Sequence, residues 1–372
     1  MGGVTGGELG AEQVEAAVAG AVALLATAAD RDWEAARAGR LEWSCRYTAE
    51  HVAGDLIAYA GQLAGRATTA YVPFEITLDG TDDGLDPADN AGVLRVIETT
   101  GALLTATLRT TPREVRAFHP YPYRSANREG FAAMGVAEVL LHTHDIAEGL
   151  GLSYEPPAGL CADVLTRLFP HVRPGGDAWR TLLWATGRGE LPGRAPVTEW
   201  RWRNNLVVPA ERLTLQGVTP AAATDLAAGG DGGFAWVDGG PLEGTRFSAG
   251  MVLKAYEAGT HRPEWGVFVL VRRADGRAVG GIGFHGAPDE DGRVEIGYDL
   301  AEAARGNGYA TEGLRALSAW ALDRDEVTSV FATTEPHNAA SQAVIARAGF
   351  RRAAVVEEHG GESGQYAYEL RR

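Results

Sequence analysis

Val294-Glu295-Ile296-Gly297-Tyr298-Asp299-Leu300, then Ala301–Ala304, then Arg305-Gly306-Asn307-Gly308-Tyr309-Ala310-Thr311 is the stretch whose reading decides the fold of the second half of the chain. It predicts a strand that runs into a glycine-rich turn and opens a helix. Glycines let successive backbone N–H groups point into one concavity, and a helix N-terminus adds positive potential. A pyrophosphate needs both, and Arg305 adds a charged donor at the mouth. The same glycine pair also suits a plain strand-to-helix turn. No Gly-Lys-Ser/Thr follows, which excludes a Walker loop, and the spacing is wrong for a dinucleotide fingerprint.

Outward from this stretch the texture is that of a mixed α/β domain. Trp265–Arg272 and Ala278–Phe284 read as strands on either side of the tight-turn signal Ala274-Asp275-Gly276. A helix is expected over Gly308–Leu322, a strand over Ser329–Thr334 and a helix over Asn338–Ala348 closed by Gly349. Strands over Phe350–Glu357 and Gly364–Leu370 complete the domain. The first half reads instead as helices, over Ala11–Ala28, Thr48–Ala64, Ala91–Leu108, Asn127–Leu150 and Pro157–Leu168. Leu78–Asn90, rich in Asp and Gly, reads as a solvated loop. Glycines and prolines across Gly187–Pro196, then a polar Trp/Arg segment, place a linker at 187–205 between domains at 1–186 and 206–372.

The composition, 45% hydrophobic and 22% charged, is that of a soluble globular protein without an apolar run of membrane-spanning length. Ala16–Ala29 has the length of a signal-peptide core, but Glu8, Glu12 and Glu15 precede it rather than basic residues. A cytoplasmic protein with no membrane partner is expected. The net charge of −15 is shared between the halves, −8 up to Asn204 and −7 beyond it. It argues against nucleic-acid binding and mildly favours a cationic small molecule. Two cysteines, Cys45 and Cys161, are too few for a disulfide framework or a thiolate cage and suit buried apolar positions.

Arg305-x-x-Gly308-x-Ala310 resembles the Arg/Gln-x-x-Gly-x-Gly/Ala signature of the GNAT acyltransferases. Three further segments are similar to that family's ribosomal-protein alanine acetyltransferase branch. They are the opening Glu211-Arg212-Leu213-Thr214-Leu215, Ile296-Gly297-Tyr298 with Arg305 to Glu312, and Asn338-Ala339-Ala340-Ser341 with Ala348-Gly349-Phe350. The resemblance implies acetyl-CoA as cosubstrate. Its pantetheine arm would meet the backbone around Tyr298 and Leu300, and its pyrophosphate the loop Arg305, Gly306, Asn307, Gly308, Tyr309, Ala310 and Thr311. Asn338 would hold the pantetheine or cap its own helix. In such enzymes an amine attacks the thioester directly, so a proton must be removed, an oxyanion held and a thiolate protonated. Glu295 is the candidate base, directly or through water, and Ser341 the candidate donor to the thiolate. Glu295 equally suits a solvent-facing strand position, and His285 either faces the substrate or is structural.

In the first half, Glu138 and His142 stand one helical turn apart with Asp145 on the same face, and His51 and Asp55 form a second one-turn pair. Such pairs on facing helices suit a divalent metal, zinc best among nitrogen and oxygen ligands, or a hydrogen-bonded polar cluster between helices. Glu138-x-x-x-His142-x-x-Asp145, with Cys45, Thr48 and Asp55-Leu56 upstream, resembles the maleylpyruvate isomerase-like metal-binding domain of the DinB superfamily. That implies a divalent ion, Zn2+ or another, on Glu138, His142 and either His51 or Asp55. Aligned on Thr48, the family's first ligand histidine falls at Asp55, with His51 one turn earlier.

The expected architecture is an all-α DinB-like four-helix bundle followed by an α/β GNAT fold with a mixed central sheet. The expected function is acetyl transfer to a primary amine of a small molecule or peptide. Two alternatives concern the first domain: a thiol-dependent (mycothiol-type) transferase or isomerase, or a non-catalytic binding regulator.

Overall fold

The computed structural model describes residues 9–73, 76, 78, 88–112, 115–120, 125–170, 172, 176–200, 202–204, 206–356 and 365–372. The chain divides into two compact units, Met1–Asn204 and Asn205–Arg372.

The first unit is helical. Its long helices are α1 (Ala11–Ala26), α2 (Cys45–Gly65), α3 (Asn90–Thr110) and α4 (Arg128–Leu150), and α1 and α2 each pack on both α3 and α4. A two-residue antiparallel pair, β1 (Arg116–Ala117) with β2 (Ala126–Asn127), lies between α3 and α4 in the chain. Further on, α5 (Ala158–Leu168) rests on α4 and α6 (Ala178–Ala185) on α5. Side chains cap the helix starts: Ser44 accepts from the Tyr47 N–H, Asp89 from Gly92, Asn127 from Gly130 and Asp177 from Arg180. The Ser44 cap starts α2 at Cys45, earlier than the apolar spacing alone indicates. Eight residues are too few for α6 to show a helical period, so it escaped the sequence reading. Phe131 to Ala137 are buried without a break, which makes α4 the central helix of the unit.

Two expectations need correction. Helix α3 is long and apolar enough, by length and composition, to cross a membrane; it packs here on α1 and α2 through Val93, Leu94, Ile97, Leu104 and Leu108. The stretch expected as a linker is anchored to the first unit through Asn204. Trp200 and Trp202 lie 6.1 and 5.8 Å from the Phe169 ring, and buried Asn204 donates to the Met134 sulfur and accepts from Arg167. A Trp/Arg segment looks polar in sequence, yet its tryptophans supply apolar surface to a core. Asn205, and residues 79–87 of the expected Leu78–Asn90 loop, lie outside the described residues.

The second unit is built on an eight-stranded mixed sheet. Its strands are β3 (Val207–Pro209), β4 (Leu213–Gly217), β5 (Val267–Arg272), β6 (Ala278–Phe284), β7 (Arg293–Leu300), β8 (Ser329–Thr334), β9 (Arg351–Val356) and β10 (Gln365–Arg371), in the order β3-β4-β5-β6-β7-β8-β10-β9. Every pairing is antiparallel except β7–β8. A parallel pair needs a crossover, and α9 (Tyr309–Leu322) supplies it. Gly313 of α9 sits on Leu270 and Ile282; α10 (Ala339–Arg347) follows β8 and packs beside α9. The opposite face, formed by Val267, Val269 and Val271, is covered by α7 (Pro220–Ala227) and α8 (Glu243–Ala258). Neither α7 nor α8 was expected. Thr245, Ala249 and Val252 of α8 are buried while Phe247 and Met251 are exposed, so its apolar pattern does not mark the inner face.

Leu242, which precedes α8, offers no side-chain cap. Asp299 of β7 supplies it across the sheet, accepting from the Thr245 N–H at 2.6 Å, the Thr245 hydroxyl at 2.7 Å and the Gly281 N–H at 2.8 Å. Asp299→Ala strands these donors and is expected to destabilise the second unit by about 2 kcal/mol. Urea unfolding followed by fluorescence of Trp265 and Trp320 measures it; an unchanged midpoint would show that the staple is energetically idle.

Candidate functional site

β7 pairs with β6 from Ile296 to Leu300 but with β8 only from Arg293 to Glu295. Beyond Glu295 the two strands part. The Glu295 carbonyl accepts from His285 and the Ala301 N–H donates to Val279, so odd-numbered residues of β7 direct their backbone groups toward β6. By alternation, the N–H and C=O groups of Ile296, Tyr298 and Leu300 turn toward the open edge facing β8. Arg305 lies back over this edge, its Nε 3.4 Å from the Leu300 carbonyl.

The loop that follows has a left-handed backbone at Gly306 (φ 77°) and Gly308 (φ 78°), a region that favours glycine. The Asn307 side chain braces it by donating to the carbonyls of Ala304 and Arg305. Arg212, just before β4, donates to Glu312 at 2.8 Å and to the Asn307 carbonyl at 3.0 Å, and its guanidinium lies over the Tyr309 ring at 4.9 Å. No side chain caps α9, so the N–H groups of its first turn are left for whatever occupies the loop. The side chains of Tyr309, Ala310 and Thr311 are buried. Thr311 also lines a cleft of about 550 Å³ with Arg212, Arg315 and Arg347; its hydroxyl is buried, with no hydrogen-bond partner among the described residues.

Two hydrogen-bonded pairs of titratable or hydroxyl side chains flank β7 on opposite faces. On the α10 side the Tyr298 hydroxyl lies 3.0 Å from the Ser341 hydroxyl; burial pushes the Tyr298 phenol up, against a smaller opposing effect of Ser341. Asn338 caps α10, its side-chain oxygen accepting from the Ser341 N–H at 3.0 Å. On the other face, Glu295 is held from both sides, by His285 Nδ1 at 3.1 Å and by the Thr333 hydroxyl at 2.9 Å. The hydrogen bond from His285 outweighs burial and holds the Glu295 carboxyl below its ordinary value, and the same bond raises His285. The sequence left His285 open between facing the substrate and a structural role; the contact with Glu295 is what the pairing of β6 with β7 adds.

In the first unit, α2 and α4 bring the ligand-type residues together. One ligand atom each of His51, Glu138 and His142 lie within 4.8 Å of one another. Asp55 stands against His51 at 3.2 Å, outside that trio. His142 Nε2 faces Glu138 at 3.1 Å, and its Nδ1 is held by Asp145 at 3.0 Å. Asp145 is in turn gripped by Arg188 through contacts of 2.8 to 3.1 Å. Burial opposes charge on His142, but the bonds from Asp145 and Glu138 win and raise it to about 9. Partial burial, reinforced by the neighbouring Glu138 carboxylate, pushes Asp55 up to about 8. The Tyr59 hydroxyl points to Glu138 at 3.4 Å, and Trp43 lies edge-on to His51 at the exposed side. His144 faces elsewhere, toward Glu148 and Trp179. Cys45 is buried and its thiol pushed up to about 11 by burial, which leaves it protonated at neutral pH. Asp145 belonged to the sequence pattern; Arg188, 43 residues further on, did not announce itself as its partner.

Residues 212–351 match the acetyltransferase (GNAT) domain family. Over 83 residues the chain is 37% identical to the uncharacterized N-acetyltransferase YjdG of Bacillus subtilis (strain 168), a match covering 22% of this chain and 49% of that one. The chain spans about half the length of the curated relatives it matches. Among solved structures, it is similar to an acetyltransferase (GNAT family) from Bacillus anthracis, with 21% identity, 45% of this chain and 98% of that one covered, and a TM-score of 0.34. It is similar also to RimL, a ribosomal L7/L12 α-N-protein acetyltransferase solved with coenzyme A, at 18% identity, 44% and 97% coverage and a TM-score of 0.33. On the family match over residues 212–351, the second unit carries a GNAT acetyltransferase domain.

An acyl-CoA that occupies the loop stabilises the folded state by about 2.7 kcal/mol at a hundred times its Kd. Acetyl-CoA is therefore expected to raise the melting temperature of the full chain. Gly308→Asp, which adds a side chain and a negative charge to the concavity, is expected to abolish the shift. Equal shifts in wild type and variant would place the pyrophosphate elsewhere.

Proposed function

We propose that the protein is an acetyl-CoA-dependent N-acetyltransferase that acetylates a primary amine of a small molecule or peptide. One observation carries the reading: β7 parts from β8 just where it leads into the left-handed Gly306–Gly308 loop and the uncapped start of α9. An extended amide-bearing arm suits the open strand edge, and a pyrophosphate suits the loop. The thioester carbon then lies beside β7, between proton-handling groups on its two faces. The amine nitrogen attacks that carbon, the C–N bond forms and the C–S bond breaks. Glu295 stands on the side where the amine proton leaves, and Ser341 with Tyr298 on the side where the thiolate receives one.

For the first unit we propose a DinB-like bundle that holds a divalent cation, zinc by preference, on His51, Glu138 and His142, with Asp55 adjacent. The donor set fits: two imidazoles and a carboxylate converge, and Asp145 orients His142 through its other ring nitrogen. Such an ion, when bound, supplies Lewis acidity to a coordinated thiol or water. A thiol-dependent transferase or isomerase activity is the second reading of this unit, favoured by the exposed Trp43 and Tyr47 rings beside His51.

Free CoA release from acetyl-CoA, assayed over a panel of amines and peptides with and without zinc, tests the main reading. Turnover with at least one primary amine is expected, and none across the panel would refute acetyl transfer. Glu295→Gln, and Tyr298→Phe combined with Ser341→Ala, are each expected to lower kcat about a hundredfold while acetyl-CoA affinity holds within about threefold. Elemental analysis of untagged protein after zinc loading and dialysis is expected to find about one equivalent, retained in Asp55→Ala and lost in His51→Ala and His142→Ala. Less than about a tenth of an equivalent in wild type would remove the metal.

A further inference from the structure

On the face of β7 away from α10, Thr333 of β8, Glu295 of β7 and His285, which directly follows β6, form one chain of contacts. Thr333 of β8 donates to Glu295 Oε1, and Glu295 Oε2 meets His285 Nδ1. Both carboxylate oxygens are thereby engaged, and Glu295 is mostly buried. His285, by contrast, is half exposed. Its other nitrogen reaches along β7: a Cβ built on Gly297 would lie only 2.8 Å from His285 Nε2. Glycine at 297 is therefore what lets the ring lie across the strand, one residue before Tyr298, whose backbone turns to the open edge.

We propose that His285, not Glu295, takes the proton from the attacking amine, and that Glu295 is the positioning residue that fixes the ring and balances its charge. This rests on the acetyltransferase reading above and refines its chemistry. As the amine nitrogen bonds to the acetyl carbon, its proton passes to His285 Nε2. The C–S electrons leave with sulfur, which is protonated from the opposite face, and the imidazolium returns its proton to solvent. The overall change is amine plus acetyl-CoA to amide plus free CoA, balanced without a further reactant. Glu295 is poorly placed to act alone, because accepting a proton would remove the negative charge that strengthens its bonds from Thr333 and His285. The charged group facing His285 is Glu295 on β7; β8 contributes Thr333, which does not titrate, and Gly297 no side chain. Asp289, nearby in sequence, turns its carboxylate to the N–H groups of Asp291 and Arg293. The bond to Glu295 keeps the imidazole basic, so the neutral, proton-accepting ring is populated as pH rises through that raised value.

The test is carried out on the full chain in two parts. NMR titration of the His285 ring, identified by its absence in His285→Gln, is expected to give a pKa above 6.5; in Glu295→Gln that value should fall. An unmoved value in Glu295→Gln would show that the pair is not coupled and overturn the proposal. With an active amine, the pH–kcat profile of wild type is expected to show an acid limb at the His285 pKa, moved to lower pH in Glu295→Gln. His285→Gln should lose about a hundredfold in kcat, with acetyl-CoA raising its melting temperature as in wild type. Added imidazole should restore part of the turnover in His285→Ala. If His285→Gln keeps its turnover and its limb, the base lies elsewhere while acetyl transfer stands. If wild type turns over no amine, the acetyltransferase reading falls and this proposal with it.

Discussion

The hydrogen bonds that β7 does not make organise the second unit. β7 is paired with β6 as far as Leu300 but bonded to β8 only through Glu295, so a row of its amide groups is turned toward an edge without a partner strand. Unpaired backbone groups away from water are costly, and a strand edge left open inside a sheet invites an extended ligand with amide groups of its own. The opening follows from topology. β7–β8 is the one parallel pair, its crossover is α9, and the chain leaves β7 through the glycine loop that starts that helix. Site and fold share one cause.

The same strand separates the chemistry by parity. Successive side chains of a strand point to opposite faces, so Glu295 and Gly297 meet His285 and Thr333 while Tyr298 meets Ser341. The Glu295–His285 pair and the Tyr298–Ser341 pair thereby lie on two sides of one backbone. Asp299, next on the face of Glu295, spends its carboxylate on the start of α8. Strength of packing and placement of chemistry are divided residue by residue along eight positions.

In the first unit the controlling fact is the burial of charge around α4. His142 sits between Glu138 and Asp145, and Asp145 is compensated by Arg188. Buried ion pairs gain little stability net of desolvation, and breaking one strands the other. A helix bundle of purely apolar contacts would be easier to build, so the cluster points to a role other than stability. Its convergence with His51 on α2 is what a cation would use.

Parts of this were legible in the sequence because their causes are local. The Gly306-x-Gly308 turn needs left-handed backbone that glycine supplies, and helical spacing places Glu138 with His142 whatever the tertiary fold. The caps at Ser44 and Asn338 act within three residues. Other parts have causes that the chain acquires only on folding. Helix α8 is capped by Asp299, 54 residues away, and Arg188 finds Asp145 across 43. Trp202 reads as a linker residue until Phe169 is beside it. His285 acquires meaning through the β6–β7 register that sets it opposite Glu295, and through the missing side chain at Gly297. The sequence by itself determined which backbone conformations and one-turn pairs were available, since those depend on neighbours in the chain. Which carboxylate faces which imidazole was decided by the tertiary structure, because only strand pairing and helix packing bring such groups within the few ångströms over which hydrogen bonds act.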